Sequence, residues 1–359
     1  MNSSGSVYTL WIAQRRWPLL GLFLIWANTS VAQSSMFSQY YFSPMNVNPA
    51  LLGTQSHFMA GVQHRSQWRN LEHPHRASKL SVANPVRLPK ALYQTGGVGL
   101  SLVDESVGDH RYYRSWNVQL GAAYNVRMDR KQNHQLSFGL QGGFSQRTIN
   151  TSQLRWGSQY DPMIGYNPEI APSIASFNDK VSFANFAAGL IYFYNPSREL
   201  LLHRISGFTG FSVANLNRPY SSFNQTDKTR EALTLRWHSG LEVPLSGSVK
   251  LLPQMLVAYR NAQQYHINVG TYVHYSLAQS SLPDERELQL LAGAWYRWND
   301  SWVASAGVSH RNYLLAVSYD FNTQPVAVNA FRGGAFEVSL AYRWFNKKHS
   351  RRNFATPMI

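Results

Sequence analysis

The sequence predicts an all-β protein, specifically a transmembrane, up-and-down antiparallel β-barrel of about 14 strands. Apolar residues alternate with polar or small residues along most of the chain. The alternating segments are about 10 residues long, the length of a tilted strand that crosses a bilayer. Charged residues make up only 14% of the chain and aromatic residues another 14%, which suits an apolar exterior bordered by Tyr and Trp.

Residues 1–32 are typical of an export signal. Arg15 and Arg16 precede an apolar run of 11 residues, Trp17 to Ala27, and small residues end the segment at Ala32. This run cannot cross a hydrocarbon core about 30 Å thick, which needs about 20 residues. We therefore predict a cleaved signal peptide, with Gln33 as the first residue of the exported chain.

Residues 33–56 are predicted to be an irregular segment before the first strand, which we call the lead-in. Pro44 and Pro49 exclude a regular helix or a central strand, and Asn46, Asn48 and Gly53 favour tight turns. The segment is rich in aromatic residues. It is long enough to fold into the barrel mouth as a plug or to dock on a partner, and both interpretations stay open.

The barrel itself is predicted over residues 57–345. Its 14 predicted strands are 58–67, 77–84, 96–104, 116–126, 135–147, 181–193, 203–214, 233–244, 249–260, 264–275, 288–298, 302–310, 312–321 and 335–344. Apolar faces often end in Trp or Tyr, and the other faces carry Gly, Ser, Asn and Gln. We predict that the apolar faces contact lipid. In the last strand, Phe336 to Trp344 would then face lipid, while Glu337 and Arg343 face water or a polar plug.

Loop lengths predict the orientation, because outer-membrane barrels carry short turns in the periplasm and longer loops outside. The segments 105–115, 148–180, 215–232 and 322–334 are long or turn-rich, and they lie outside if both termini lie in the periplasm. A 33-residue loop such as 148–180 is more often functional or disordered than idle. Aromatic residues in these loops are candidate contacts for a protein, or could fold inward. They are Trp156, Tyr160, Tyr166 and Tyr220.

The formal net charge is +15, and a basic tail, residues 346–359, follows the last strand. The basic residues are otherwise scattered, and an exported chain rarely meets nucleic acid. We therefore expect the charge to contact anionic lipid of the outer membrane and predict no nucleic-acid partner. The chain has no cysteine, which excludes disulfides, thiol nucleophiles and cysteine-based metal sites.

The N-terminal region resembles the start of the PorP/SprF family. The similarity rests on Ser38-Gln39-Tyr40-Tyr41-Phe42-Ser43-Pro44, on Asn48-Pro49-Ala50 with Gly53, and on Arg65-Ser66-Gln67-Trp68. Later segments, Trp295 to Thr323 and Gly333 to Phe345, resemble the last hairpins and closing strand of the family. Ser43 departs from the family, which commonly has Asn there. The resemblance marks these residues as structural or partner contacts: Gln39, Tyr40, Phe42, Pro44, Asn48, Pro49, Gly53, Gln67 and Trp68.

Members of that family are outer-membrane proteins of Bacteroidota linked to type IX secretion and gliding motility. The resemblance therefore implies a non-enzymatic outer-membrane barrel without a cofactor. Its implied partners are an exported surface protein with a C-terminal sorting domain and periplasmic or outer-membrane components of the secretion system. A passive transporter for small or apolar solutes is the alternative, with the lead-in as its plug.

Enzymatic chemistry has little support in the sequence. His238 lies near Ser239 and Glu242, but adjacent residues of a strand point to opposite faces, which separates His238 from Ser239. We interpret His238 as a lumen residue in a polar network, and a barrel enzyme acting on lipids as the weakest alternative. His73 and His75 provide two imidazoles in a predicted outer loop, fewer ligands than a metal site usually needs.

Overall fold

The computed structural model describes most of the chain from Phe37 to Trp344. The described ranges are 37–69, 73–89, 94–109, 111–129, 133–151, 154–170, 178–195, 205–224, 229–261, 264–277, 288–323 and 334–344. The predicted signal peptide and the predicted basic tail lie outside these residues.

Fourteen antiparallel strands form a closed barrel, and a two-stranded hairpin, β6–β7, lies in one of the connections. The strands are β1 (Phe58–Gln67), β2 (His75–Val86), β3 (Gly96–Val107), β4 (Tyr113–Arg127), β5 (His134–Ile149), β6 (Tyr160–Asp161), β7 (Gly165–Tyr166), β8 (Lys180–Tyr194), β9 (Ser206–Ala214), β10 (Thr234–Pro244), β11 (Val249–Asn261), β12 (Gln264–Ser276), β13 (Gln289–Arg297), β14 (Ser301–His310), β15 (Tyr313–Asn322) and β16 (Ala335–Trp344). The predicted fold class is confirmed.

Each barrel strand pairs with its neighbour in sequence, and β5 pairs with β8 past the small hairpin. The ring closes where β1 pairs with β16, from Phe58 opposite Trp344 to Gln67 opposite Ala335. Closure gives every strand a partner on both sides, so that no sheet edge is left in the hydrocarbon layer.

The alternation of side chains separates two environments, as the sequence predicts. In β16, Trp344 is 62% exposed on the outer face, whereas Glu337 is fully buried on the inner face. Leu140 in β5 and Trp302 in β14 also lie on the exposed outer face. The barrel therefore turns apolar residues toward lipid, while its interior holds polar and charged residues together with a cluster of buried apolar side chains.

The two longest connections, 150–179 and 215–233, lie at the same end of the barrel, with 323–334. We call it the loop-bearing end. The predicted loop 105–115 is shorter in the structure, because β3 continues to Val107 and β4 begins at Tyr113. Gly108 and Arg111, both with positive φ, form the turn between these strands. At the opposite end the two longest connections are 195–205 and 277–288.

The described part of the lead-in lies inside the barrel and consists of three short helical turns. They are a 3-10 turn at Tyr40–Phe42, the helix α1 at Pro44–Val47 and a 3-10 helix at Pro49–Thr54. The prediction that the prolines exclude regular helix is wrong for these short turns. Each proline is the first helical residue, where its missing N–H has no intrahelical partner to lose. Among the described residues, no helix is long and apolar enough to cross a membrane.

Candidate functional site

The inward face of the barrel wall contacts the lead-in. Polar side chains of the wall donate hydrogen bonds to backbone carbonyls of the lead-in along its length. Gln63 donates to the carbonyl of residue 39 at 2.9 Å, Ser81 to that of residue 42 at 3.1 Å, and Ser212 to that of residue 47 at 2.7 Å. Ser137 donates to the carbonyl of residue 50 at 2.9 Å. These bonds satisfy backbone groups that an irregular buried segment cannot pair within itself.

Ser38 lies in a buried charged cluster at the loop-bearing end of the lumen. Its Oγ lies 2.8 Å from both carboxylate oxygens of Asp320. Arg65 and Arg297 each donate to the same Oγ, at 2.8 and 2.7 Å. Both guanidinium groups also contact Asp320 Oδ2, at 2.8 and 3.1 Å. One serine hydroxyl of the lead-in is thereby fixed by three wall residues from β1, β13 and β15.

Glu337 binds the backbone of the lead-in in the same cluster. The N–H of Ser38 donates to its Oε2 at 2.8 Å, and the N–H of Gln39 donates to its Oε1 at 3.1 Å. Gln63 of β1 donates to Oε1 at 3.2 Å, and Arg65 Nη1 lies 3.5 Å from Oε2. The sequence predicts that Glu337 faces water or a polar plug. In the structure it accepts hydrogen bonds from the lead-in.

Below this cluster, Tyr40 and its neighbour Tyr41 pack into an aromatic group of the wall. The ring of Tyr41 lies 5.0 Å from that of Tyr272 and 6.1 Å from that of Trp295. The Tyr40 ring meets Trp295 edge to face at 5.7 Å, and the Tyr40 hydroxyl donates to Gln254 Oε1 at 3.3 Å. Phe42 is buried beside Tyr41. Such contacts combine a large apolar area with fixed ring geometry.

Asn48 connects the lead-in to three strands. Its Oδ1 accepts from the N–H of Ala50 at 2.9 Å and so caps the 3-10 helix that Pro49 begins. Its Nδ2 donates to the carbonyls of Leu190 and Phe211, both at 3.1 Å, and lies 2.9 Å from Nε2 of His238. The predicted tight turn at Asn48 is therefore a helix cap that also joins the lead-in to the wall.

Gly53 lies where the lead-in packs closely against the wall at the opposite end. Its carbonyl accepts from Asn125 at 2.7 Å and from Gln94 at 3.0 Å. A Cβ on Gly53 would lie 2.2 Å from Oδ1 of Asn125 and 2.2 Å from Oγ of Ser137. Glycine at this position lets the backbone lie against these two side chains, and a larger residue would displace them.

Gln67 and Trp68 end the first strand at the loop-bearing end. Gln67 is the last residue of β1, and its Oε1 lies 3.5 Å from Nη2 of Arg65. Trp68 has a φ of 57°, and its N–H donates to the carbonyl of Gly334 at 3.3 Å. The two residues continue the β1–β16 contact past the end of the strand.

The predicted outer-loop aromatics all lie at the loop-bearing end. Tyr160 and Tyr166 face each other across the β6–β7 hairpin with ring centroids 5.8 Å apart. Trp156 precedes this hairpin, and its N–H donates to Gln159 at 3.1 Å. Tyr220 belongs to the next long connection and accepts a 2.6 Å hydrogen bond from Arg230. Tyr160 and Tyr166 are therefore in contact with each other.

The other chemical candidates lie apart from any reactive arrangement. His238 is buried inside the barrel beside Asn48, and Ser239 points to the other face of β10. The ring of His73 packs against Tyr112 at 5.2 Å. Within the part of the chain that the structure describes, no group of three or more His, Asp or Glu side chains is placed to hold a metal ion.

A family model, described as type IX secretion system membrane protein PorP/SprF, matches residues 29–342. The chain belongs to this family. The match covers the lead-in and nearly the whole barrel, so the PorP/SprF similarity read from both ends of the sequence is confirmed. A comparison with curated proteins found no match.

Solved outer-membrane barrels resemble this PorP/SprF protein in fold. A TodX ΔS2S3 mutant, a monoaromatic hydrocarbon channel, has a TM-score of 0.50 at 10% identity, and the alignment covers 86% of this chain and 94% of that chain. The toluene transporter TodX of Pseudomonas putida has a TM-score of 0.47 at 8% identity, covering 87% and 95%. A FadL homologue of Pseudomonas aeruginosa has 0.43 at 10% identity, covering 83% and 93%. At 10% identity the likeness to the TodX mutant shows the barrel fold alone.

Sequence reasoning missed part of the charged cluster. The sequence patterns do not mark Asp320 and Arg297, although both fall on the inward face of their strands. A charged residue on that face, in a chain with so few charges, was the available signal. Its partner was not readable, because Ser38 and Asp320 are 282 positions apart.

Proposed function

We propose that this PorP/SprF protein is a sealed, non-enzymatic barrel that docks or anchors an exported surface protein and links it to the type IX secretion and gliding machinery. Its partners would be a surface protein with a C-terminal sorting domain and periplasmic or outer-membrane components of that system. Membership in a secretion-system membrane family supports this role.

The observation that carries the proposal is the position of the lead-in inside the barrel. Its residues from Phe37 to Gln55 are buried, apart from the partly exposed Asn46, and the wall binds its backbone at intervals along the lumen. A passive transporter needs a continuous wet path or a plug that leaves readily. A segment fixed by buried ion pairs at one end and close backbone packing at the other favours a sealed wall that carries mechanical load.

The loop-bearing end offers the surface that an exported protein would meet. Tyr160 and Tyr220 are about half exposed, and the tip of the β6–β7 hairpin presents Met163 and Ile164 to solvent. Tyrosine side chains often dominate the binding energy of protein interfaces, and methionine is enriched in them. We assign these loop side chains to partner contact.

Copurification from the native envelope in mild detergent tests the docking role. The wild-type barrel should bring a large exported protein with it, and combined Tyr160→Ala and Tyr220→Ala substitutions should reduce the recovery. Leu245→Ala is the matched control, because Leu245 is similarly exposed at the opposite end. Recovery that is equal in all three proteins, or absent in the wild type, contradicts docking through these loops.

Single-channel recording tests the seal. The purified wild-type barrel in a planar bilayer should show no steady open conductance. A stable open pore would contradict the sealed barrel and favour the alternative, a passive transporter for small or apolar solutes.

A further inference from the structure

The start of the described lead-in is at the loop-bearing end of the lumen. Ser38 is bound there by Arg65, two residues before the end of β1, and by Asp320, two residues before the end of β15. Arg297, the last residue of β13, binds the same hydroxyl. All three strands run toward the loop-bearing end, so their last residues mark its level.

The other end of the lead-in is at the opposite end of the barrel. The Gly53 carbonyl is held by Gln94, which lies just before β3 begins, and by Asn125, two residues before β4 ends. The chain then enters β1 at Phe58, which is paired with Trp344, the last residue of β16. These partners all belong to the end that lacks the two longest connections.

Intermediate contacts follow in the same order along the lumen. The carbonyl of Phe42 is bound by Ser81, in the middle of β2, and Asn48 contacts Leu190 and Phe211 farther along the wall. The lead-in therefore crosses the barrel once, from the loop-bearing end to the opposite end, over about 25 Å for ten-residue strands tilted by about 40°. Its direction is fixed by these bonds.

We infer that the amino-terminal end of the exported chain lies at the outer surface, beside the long loops, although the barrel strands themselves begin and end at the periplasmic side. Long connections of outer-membrane barrels face outward, which places Phe37 and Ser38 under the outer mouth. If processing leaves Gln33 as the first residue, the stretch from Gln33 to Met36 reaches at most about 14 Å from Phe37. It cannot return through the lumen to the periplasm.

This topology adds the amino-terminal end to the surface that an exported protein meets. That role as a partner contact rests on the proposed docking function, whereas the topology does not. A partner that binds this end is joined through Ser38 to Arg65, Asp320 and Glu337, and thus to the first strand and the last two strands of the barrel. The contact would transmit force into the wall where the ring closes.

The absence of cysteine from the chain allows a direct test. A flexible Gly/Ser insertion that carries a single cysteine is placed between Gln33 and Ser34. The same insertion after Ile164 marks the loop-bearing end, and one after Gly247 marks the opposite end. Each variant is treated, in intact and in permeabilised cells, with a polyethylene-glycol maleimide too large to pass porins, and folding is verified by heat-modifiable gel migration.

The amino-terminal cysteine should be labelled in intact cells, like the one after Ile164, while the one after Gly247 should need permeabilisation. Labelling of the amino-terminal cysteine only after permeabilisation, or in neither state, overturns the inference. So does a reversed pattern in which the Ile164 reporter is the hidden one. Because the labelling needs no partner, a failure of copurification with normal labelling would overturn docking and leave the topology intact.

Discussion

At the loop-bearing end of the lumen the lead-in meets formal charges, whereas toward the opposite end it meets neutral side chains and bare glycine backbone. Ser38 lies among Arg65, Arg297 and Asp320, all buried. Ala50, by contrast, packs closely on Gly139. A Cβ on Gly139 would lie 2.1 Å from the backbone nitrogen of Ala50. The first attachment depends on charge balance, and the second depends on the absence of a side chain.

The two attachments should therefore respond to different substitutions. A buried ion pair contributes little more to protein stability than apolar residues of the same size would. Loss of one partner strongly destabilises the protein, because the other charge is left buried without compensation. A close backbone contact tolerates changes of charge nearby and fails when volume is added. Charge changes and volume changes thus distinguish the two ends experimentally.

The largest effect is expected for Asp320→Asn. The substitution removes the carboxylate that two buried guanidinium groups share, and leaves Arg65 with Glu337 at 3.5 Å and Arg297 with Asp300 at 2.8 Å. The free energy of unfolding should fall by up to about 3–5 kcal/mol, the loss typical of a broken buried pair. The measurement is the urea midpoint of the heat-modifiable folded band. Asp104→Asn is the matched control, since Asp104 forms a pair with Arg114 in which both side chains are nearly half exposed. That pair should contribute about 1 kcal/mol or less to stability. If both variants lose the same free energy of unfolding, the charged cluster has no special role in stability.

Gly139→Ala tests the other end. The new methyl group would meet the backbone of Pro49 and Ala50, and overpacking of this kind typically costs about 1–3 kcal/mol. Gly142→Ala in the same strand is the control, because its Cβ would meet only the ring of Phe186 at ordinary distance. The same urea assay should separate the two alanine variants, and channel recording should show whether displacement of the lead-in opens the lumen. Indistinguishable stabilities would mean that the lead-in shifts freely.

Asn48→Ala lies between the two ends and should have a smaller effect. It removes a helix cap and the bonds to Leu190 and Phe211, and should lower the unfolding free energy by about 1–2 kcal/mol. Asn46→Ala is the control within the lead-in, as Asn46 is partly exposed and makes one long side-chain contact with Ser43. A loss in Asn46→Ala as large as in Asn48→Ala would contradict a specific joint at Asn48.

The smallest effect concerns a second charged contact at the loop-bearing end. Burial alone would raise the pKa of the Glu231 carboxyl, but Arg147 and Arg260, which both pair with it, lower the pKa below its usual range. A depressed carboxyl pKa contributes stability at neutral pH that is lost as the pH falls through the folded-state pKa. The stability difference between wild type and Glu231→Gln should therefore be greatest near neutral pH and shrink in acid. A constant difference from neutral to acid would mean that the Glu231 charge contributes nothing.

The wall was predictable from sequence because its pattern is local. Alternation in β16 already separates Trp344 from Glu337, and each of the 14 barrel strands overlaps a predicted one. The strand ends were less accurate: β4 begins at Tyr113 instead of residue 116, since polar residues continue the sheet beyond the apolar stripe.

The interior could not be predicted in the same way. The unusual composition of the lead-in was visible, and so were the turn-forming residues Asn48 and Gly53. Their partners were not, because Ser38 and Glu337 are 299 positions apart and meet only across a closed ring. No local pattern records which wall residue faces which turn of an irregular segment.

The place where Ser38 and Gln39 bind is assembled from Gln63 and Arg65 near the beginning of the barrel and from Asp320 and Glu337 near its end. During biogenesis, the last two strands are the final ones to be synthesised, so this binding place is absent until the whole polypeptide has been made. The order of assembly is then constrained: Ser38 can bind its full set of partners only when the first strand and the last two strands have come together.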